Sequence, residues 1–87
     1  MNYFAFLATI IVMWTASWCQ PCQRLKIQTE ALKKKGYDVR YVDIDTYKEL
    51  AEQYKVKVVP TIDFYQDQKH VKRIRGYVPN LEQEIPQ

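Results

Sequence analysis

Two cysteines carry the clearest chemical potential in this sequence. Cys19 and Cys22 lie in the segment WCQPC and are the only cysteines of the chain. A pair with this spacing can exchange disulfides, supply half of a metal site or form a structural cross-link. The attacking species in disulfide exchange is the thiolate, which the dipole and free amides at a helix amino terminus stabilise. Cys19 lies just ahead of a predicted helix and Cys22 one turn inside it, close enough to attack a mixed disulfide on Cys19.

The two alternatives to a redox pair have less support, although both stay open. Structural zinc usually takes four Cys or His ligands, and the single histidine, His70, falls on a distant predicted strand. A structural disulfide between Cys19 and Cys22 would close a very short loop and so remove little chain entropy. We therefore favour the redox pair, and expect neither a metal site nor a cofactor besides the cysteines themselves.

Hydrophobic patterning predicts the elements that position the cysteines. A continuous apolar, β-branched run from Leu7 to Trp14 is typical of a strand buried on both faces. The helix after the cysteines ends at Gly36, where a left-handed cap would stand. Further elements follow: a strand at 37–45, a helix after an N-cap at Asp45, strands at 56–65 and 69–76, and a short helix at 80–85. The order β-α-β-α-β-β-α makes the first two strands parallel through a right-handed crossover, and the last two form a hairpin.

Length and composition narrow the class of protein. The 87 residues, 47% of them hydrophobic, suit one small domain spanning residues 1–87. A net charge of +3 is too small for a dedicated nucleic-acid binder. The apolar residues 1–14 are too short for a membrane span and lack the preceding Lys or Arg of an export signal. Because a single Cys-x-x-Cys pair is typical of a cytosolic redox motif, we expect a cytoplasmic monomer without nucleic-acid or membrane partners.

Three segments make the chain resemble the thioredoxin family. WCQPC is similar to the family's Trp-Cys-x-Pro-Cys active site, and VDIDTYKELAEQYKVKVVPT to its strand, helix and cis-proline segment. The separation of Thr61 and Gly76 matches the family's last hairpin and its glycine. The resemblance implies a thioredoxin-like α/β fold with a four-stranded mixed sheet. It also implies a dithiol–disulfide oxidoreductase that reduces protein disulfides and takes its electrons from a thioredoxin reductase.

The same resemblance assigns roles around the cysteines. Cys19 is the nucleophile and Cys22 the resolving thiol. Trp18 would cover the disulfide, with an ordinary surface aromatic as the alternative. Gln20 stands where the family most often has glycine, at a position that tunes redox poise. Pro21 lies in the first helical turn, where its missing amide costs little.

A second group of residues is implied to receive the substrate. Pro60 would follow a cis peptide bond and pack against the cysteines, and Val59 would offer its backbone to an extended substrate. Gly76 would leave space beside the active site. Without the resemblance, Pro60 would be taken as a proline at the start of a strand and Gly76 as a glycine at the end of one.

The chain departs from the family at a buried charge pair. Met13 occupies the place of the family's buried aspartate, six residues before Cys19, and Tyr41 that of its lysine partner. Loss of both together avoids an unpaired buried charge. Asp63 interrupts an apolar strand and could replace the missing carboxylate. A two-residue hairpin would instead set Asp63 opposite Lys72 as an ordinary cross-strand ion pair, which is the interpretation we favour.

Two alternative functions stay open. A glutaredoxin-like, glutathione-dependent reductase fits the size of the chain, because the sequence has room only for the buried strand. We therefore expect the family's additional strand and helix before that strand to be absent, so that one sheet face loses a covering helix. Against this alternative, RGYVPN lacks the paired glycines and the acidic residue expected there. The other alternative is a binding module with a thioredoxin fold, in which the cysteines would be incidental.

Overall fold

The predicted order of strands and helices is confirmed by the computed structural model, which describes residues 9–87. The elements are β1 (Thr9–Thr15), α1 (Gln20–Lys34), β2 (Asp38–Asp43), α2 (Lys48–Gln53), β3 (Thr61–Gln66), β4 (Lys69–Arg75) and a 3-10 turn (Glu82–Glu84). The short final helix is therefore a single 3-10 turn. The part of the predicted first strand before Thr9 lies outside the described residues. Within residues 9–87, no helix is long and apolar enough to span a membrane.

The four strands form one mixed sheet in the order β2-β1-β3-β4. β1 runs parallel to β2 and antiparallel to β3, and β3 runs antiparallel to β4. β1 is a central strand with neighbours on both sides. Its Ile11 and Met13 side chains are completely buried on one face. Ile10 and Val12 on the other face are only partly buried and line a groove, so the predicted burial on both faces is only partly confirmed.

Helix α1 covers one face of the sheet and carries both cysteines at its start. Its buried side chains recur at helical spacing: Cys22, Leu25, Thr29 and Leu32. The helix ends at the predicted left-handed cap, where Gly36 has φ +105° and its N–H donates to the Lys33 carbonyl at 2.9 Å. The apolar face of α1 packs against Ile11, Met13, Ile62 and Phe64 in the main core.

The opposite face of the sheet contacts the short helix α2. A groove of about 430 Å³ lies there, and its lining includes Ile10, Val12 and Trp14 of β1, Leu50 of α2 and Tyr54, which directly follows α2. The expected loss of a covering helix on this face depends on residues 1–8, outside the described part of the chain. The groove shows that α2 by itself does not fill the space above the sheet.

Two predicted boundaries are wrong. Asp45 is not an N-cap, because α2 begins at Lys48 and the Asp43 carboxylate accepts the N–H of Asp45 at 2.8 Å in the preceding turn. The third strand begins at Thr61, five residues after the predicted start at Val56. Residues 56–60 pair with no strand, since the ladder between β1 and β3 ends at the Trp14–Thr61 pair.

Candidate active site

Cys19 and Cys22 are joined as a disulfide at the amino terminus of α1, with their Cα atoms 5.2 Å apart. Cys19 is the N-cap residue, and its Sγ accepts the N–H of Cys22 at 3.2 Å. Pro21 fills the first turn, where no amide is needed. Cys19 and Cys22 are 5% and 1% exposed. In the reduced protein, the amides and dipole that surround Cys19 would stabilise its thiolate.

Trp18 and Gln20 lie on the surface on either side of Cys19. The Trp18 side chain is 64% exposed, and its Nε1 donates to the Asp45 carboxylate at 2.8 Å. Gln20 is exposed as the first residue of α1. The sequence assigned Asp45 to a helix cap, whereas the structure shows that this carboxylate orients the indole beside the disulfide.

Residues 56–60, which we call the docking segment, lead from α2 to β3. The Val59–Pro60 peptide bond is cis, the Pro60 ring is buried, and Val59 packs against the core cluster that contains both cysteines. The Thr61 hydroxyl donates to the Val58 carbonyl at 2.7 Å. Among residues 9–87, no hydrogen bond involves the backbone of Val59, so neither its N–H nor its C=O is paired there.

Gly76 holds the end of the docking segment from the neighbouring strand. Its N–H donates to the Pro60 carbonyl at 2.7 Å, and its φ is +92°. A Cβ added at Gly76 would meet no atom within 4 Å. Glycine is therefore required here by the backbone conformation, and the space next to it is open.

The place of the family's buried charge pair holds neutral groups. Met13 is completely buried and pairs with Tyr41 across β1 and β2. The Thr29 hydroxyl lies 4.0 Å from the Met13 sulfur and 2.8 Å from the Tyr41 hydroxyl. Burial and the hydrogen bond that Tyr41 donates to Glu30 raise the pKa of Tyr41 to about 12. Tyr41 therefore stays a neutral phenol at physiological pH.

Asp63 is the centre of a buried polar cluster. Its side chain has no exposed surface and accepts hydrogen bonds from Trp14 Nε1 at 2.9 Å and from Arg73 Nε and Nη2 at 2.8 Å each. His70 Nε2 lies 2.8 Å from the same carboxylate. Burial by itself would raise the pKa of Asp63, but the hydrogen bonds from Arg73, His70 and Trp14 outweigh burial and lower it.

The predicted Asp63–Lys72 ion pair is wrong. A bulge between Phe64 and Tyr65 adds one residue to the β4 side of the hairpin, so Phe64 pairs with Lys72 and Asp63 with Arg73. The Asp63–Arg73 ion pair that forms instead is buried, with the Arg73 side chain 15% exposed and that of Asp63 fully enclosed. Asp63 is thus neither an ordinary surface pair nor a free carboxylate.

Asp63 also lies on the wrong side of the sheet to assist Cys22. Side chains alternate along a strand, and the neighbouring Ile62 and Phe64 belong to the core cluster that contains Cys22. The carboxylate of Asp63 therefore faces the groove side. This placement excludes Asp63 as a direct substitute for the family's buried aspartate.

Asp63→Asn should lower stability most at neutral pH. The folded-state pKa of Asp63 is depressed, so its contribution is present above the unfolded value of about 3.9 and is lost as the pH falls through the lower folded value. At pH 7 the variant leaves the Arg73 charge uncompensated, and we expect a loss of about 3 kcal/mol in the free energy of unfolding.

Urea titrations at pH 7, 5, 4 and 3 measure this difference, which should shrink below about pH 4. The matched control is Asp67→Asn in the exposed turn between β3 and β4, which should change stability by less than about 0.5 kcal/mol. A wild-type advantage that stayed constant down to pH 3 would contradict the assignment of a depressed pKa to Asp63.

The family model for thioredoxin matches residues 3–87. The chain belongs to the thioredoxin family. Thioredoxin of Mycoplasmoides gallisepticum is 32% identical over 75 residues, with 84% of this chain and 75% of the relative covered. A thioredoxin H-type of Fagopyrum esculentum is 38% identical over 69 residues, with 77% of this chain and 60% of the relative covered. The crystal structure of Fasciola hepatica thioredoxin superposes with a TM-score of 0.81 at 33% identity, over 95% of this chain and 81% of that one.

Membership of the thioredoxin family and the Cys19–Cys22 pair together identify the chain as a dithiol–disulfide oxidoreductase. Within residues 9–87, no group of three or more His, Cys, Asp or Glu side chains is arranged to hold a metal ion.

Sequence patterns missed two residues that shape this thioredoxin site. Arg73 was one cation in a basic run, and its hydrogen bonds to Asp63 and to the end of α2 become visible only in the folded chain. Thr61 was part of the Val-Pro-Thr match, but its bond to the Val58 carbonyl was not inferred. For Thr61 a signal existed, because a hydroxyl directly after a buried proline is well placed to bond a nearby backbone group.

Proposed function

We propose that this chain reduces disulfides in proteins, with Cys19 as the nucleophile and Cys22 as the resolving thiol. The observation that carries the proposal is the position of Cys19 as the N-cap of α1, where its Sγ accepts the Cys22 N–H at 3.2 Å. That position stabilises a thiolate on Cys19 in preference to Cys22, whose sulfur lies deeper, inside the first turn.

The exchange proceeds in two balanced steps. The Cys19 thiolate attacks one sulfur of the substrate disulfide, forming a mixed disulfide and releasing the other substrate sulfur as a thiolate. The Cys22 thiolate then attacks Cys19 Sγ, closing the Cys19–Cys22 disulfide and releasing the second substrate thiolate. The substrate gains two electrons and the chain loses them.

The docking segment supports a protein substrate over a small one. The free backbone groups of Val59 can pair with an extended substrate strand, as in β-strand addition. Exposed apolar side chains on the segment and just before Cys19, Val58 and Trp18, give this surface contact area. Gly76 leaves open space at the same edge. A protein chain running past Cys19 would use all of these features.

Electrons for the next cycle would come from a thioredoxin reductase, and the working compartment would be the cytoplasm. The test is reduction of a protein disulfide, such as that of insulin, with either thioredoxin reductase or reduced glutathione as the donor. We expect turnover with the reductase and little with glutathione. Turnover with glutathione alone would favour the glutaredoxin-like alternative, and no turnover with either donor would favour a binding module.

A further inference from the structure

Arg73 links two parts of the fold, strand β3 and the turn that follows α2. One edge of its guanidinium donates to Asp63 on β3, from Nε and Nη2 at 2.8 Å each. The guanidinium also donates to backbone carbonyls, from Nη2 to Tyr54 at 2.9 Å and from Nη1 to Lys55 at 3.1 Å. A mostly buried cation therefore ties the sheet to the carboxyl end of α2.

The turn that Arg73 binds is an unfavourable one. Lys55 has φ +58°, a left-handed conformation that usually falls to glycine at the end of a helix. The Lys55 N–H donates to the Glu52 carbonyl at 3.0 Å, and the Val56 N–H donates to the Ala51 carbonyl at 2.9 Å. A lysine in this conformation carries a cost that its surroundings must offset. The two hydrogen bonds from Arg73 to the turn carbonyls add to the restraint that these backbone hydrogen bonds supply.

The docking segment begins at Val56, directly after this turn. Its other end is fixed by the Gly76 N–H, which donates to the Pro60 carbonyl at 2.7 Å. Arg73 lies in β4, and Gly76 directly follows the last residue of that strand. Both ends of the segment are thus held from the same part of the fold, with Val59 between them.

We propose that Arg73, oriented by Asp63, is a positioning residue that fixes the Tyr54–Lys55 turn and so places Val59 to receive a protein substrate. The inference rests on the proposed function, because it assigns a role to the surface on which the substrate docks. No hydrogen bond in the described part of the chain joins Arg73 to either cysteine. Its loss should therefore weaken docking of an extended protein chain and leave thiol exchange with a small disulfide unchanged.

The role requires an arginine. The planar guanidinium donates four hydrogen bonds at once, two to the carboxylate and two to the carbonyls. A lysine ammonium is a point charge on a flexible stem and cannot reproduce this fork. Arg73→Lys keeps the charge that neutralises Asp63 and removes the geometry, so it separates positioning from charge balance.

The experiment compares Arg73→Lys with wild type on two substrates. With insulin we expect KM to rise about tenfold with kcat nearly unchanged, as for a loss of binding shared by ground and transition states. With the small disulfide 5,5′-dithiobis(2-nitrobenzoate), kcat/KM should stay within about twofold of wild type. The equilibrium of the Cys19–Cys22 disulfide with dithiothreitol should also stay within about twofold, since the sulfur atoms keep their surroundings.

Two further variants complete the design. Lys72→Gln is the matched control, because Lys72 also lies in β4 but donates to Glu84 and not to the turn, and it should behave as wild type on both substrates. Adding Lys55→Gly to Arg73→Lys should restore most of the insulin KM, because glycine adopts the left-handed conformation without restraint.

Three results would overturn the inference: an equal loss on both substrates, an unchanged KM for insulin, or no restoration by Lys55→Gly. Failure of the wild-type chain to reduce insulin at all would instead overturn the proposed function. If Arg73→Lys proved too unstable to assay, the Lys55→Gly double variant provides the folded comparison, and an insulin KM still raised about tenfold in it would also contradict the role of the turn.

Discussion

Cys22→Ser should convert the chain from a turnover catalyst into a trap for its substrate. Cys19 is the N-cap of α1 and keeps the helix amides that stabilise its thiolate in this variant. The first attack on a protein disulfide can therefore proceed. The mixed disulfide cannot be resolved, because the serine hydroxyl does not displace a sulfur under these conditions. Steady-state reduction of insulin should fall to the uncatalysed rate, and a covalent adduct with Cys19 should accumulate.

Non-reducing electrophoresis and intact-mass spectrometry detect the adduct, which should disappear after addition of dithiothreitol. The paired control is Cys19→Ser, which removes the nucleophile and should give neither turnover nor adduct. The opposite pattern, an adduct in Cys19→Ser and none in Cys22→Ser, would reverse the roles assigned to the two cysteines.

Met13→Asp should be among the most destabilising single changes in the described part of the chain. Met13 has no exposed surface, and its polar surroundings within residues 9–87 are the hydroxyls of Thr29 and Tyr41. The ammonium groups of Lys26 and Lys33 lie over the Tyr41 ring, 5.4 and 5.6 Å from its centre, and are not paired with position 13. An unpaired carboxylate there should lower the free energy of unfolding by about 3–5 kcal/mol at pH 7. Met13→Leu, which keeps the volume and apolar character, should lower it by less than about 1.5 kcal/mol.

The pH dependence of Met13→Asp should run opposite to that of Asp63. Burial raises the pKa of an unpaired carboxyl group, so the folded variant favours the protonated form and regains stability as the pH falls towards 4. Urea titrations of both Met13 variants between pH 4 and 8 measure the effect. A Met13→Asp protein as stable at pH 8 as at pH 5 would show that the introduced carboxylate had found a partner or reached solvent.

The same variant tests whether the resolving step lacks a base. In wild type, decay of the Cys19 mixed disulfide followed by stopped flow should show no inflection from a carboxylate, because a thioether stands at Met13. Met13→Asp should add one. Asp63→Asn should leave the wild-type profile unchanged, since Asp63 faces the groove side. A wild-type inflection that Asp63→Asn removed would show that Asp63 assists Cys22 through water.

The cysteine pair and the elements that hold it could be predicted from the amino-acid sequence. The positions of Cys19, Pro21 and Cys22 relative to the helix follow from local rules, because helix starts and cysteine spacing depend on neighbouring residues. The parallel pairing of β1 and β2 followed from the crossover rule. The buried face of α1 and its cap at Gly36 followed from helical periodicity and glycine's backbone freedom. Each of these inferences needed only information within one or two elements.

The boundaries around the docking segment were harder to predict from the sequence. The sequence predicts one strand over residues 56–65, yet only Thr61–Gln66 pairs with the neighbouring strands β1 and β4. Pairing depends on where the partner strand ends, and β1 contributes its last pair with β3 at Trp14. A propensity for strand structure cannot by itself specify that limit. Asp45 was likewise placed by local rules at a helix cap, whereas Trp18 competes for its carboxylate across the fold.

The partner of Asp63 could be identified only in the folded chain. The sequence predicts an ion pair on β4, and counting back from the turn selects Lys72. One extra residue on the β4 side, opposite the step from Phe64 to Tyr65, moves the pairing to Arg73, and a shift of one residue exchanges the two faces of a strand. The consequence reaches beyond the hairpin, because Arg73 and not Lys72 contacts the turn at Lys55. Register is a property of two strands together, and neither strand's sequence contains it.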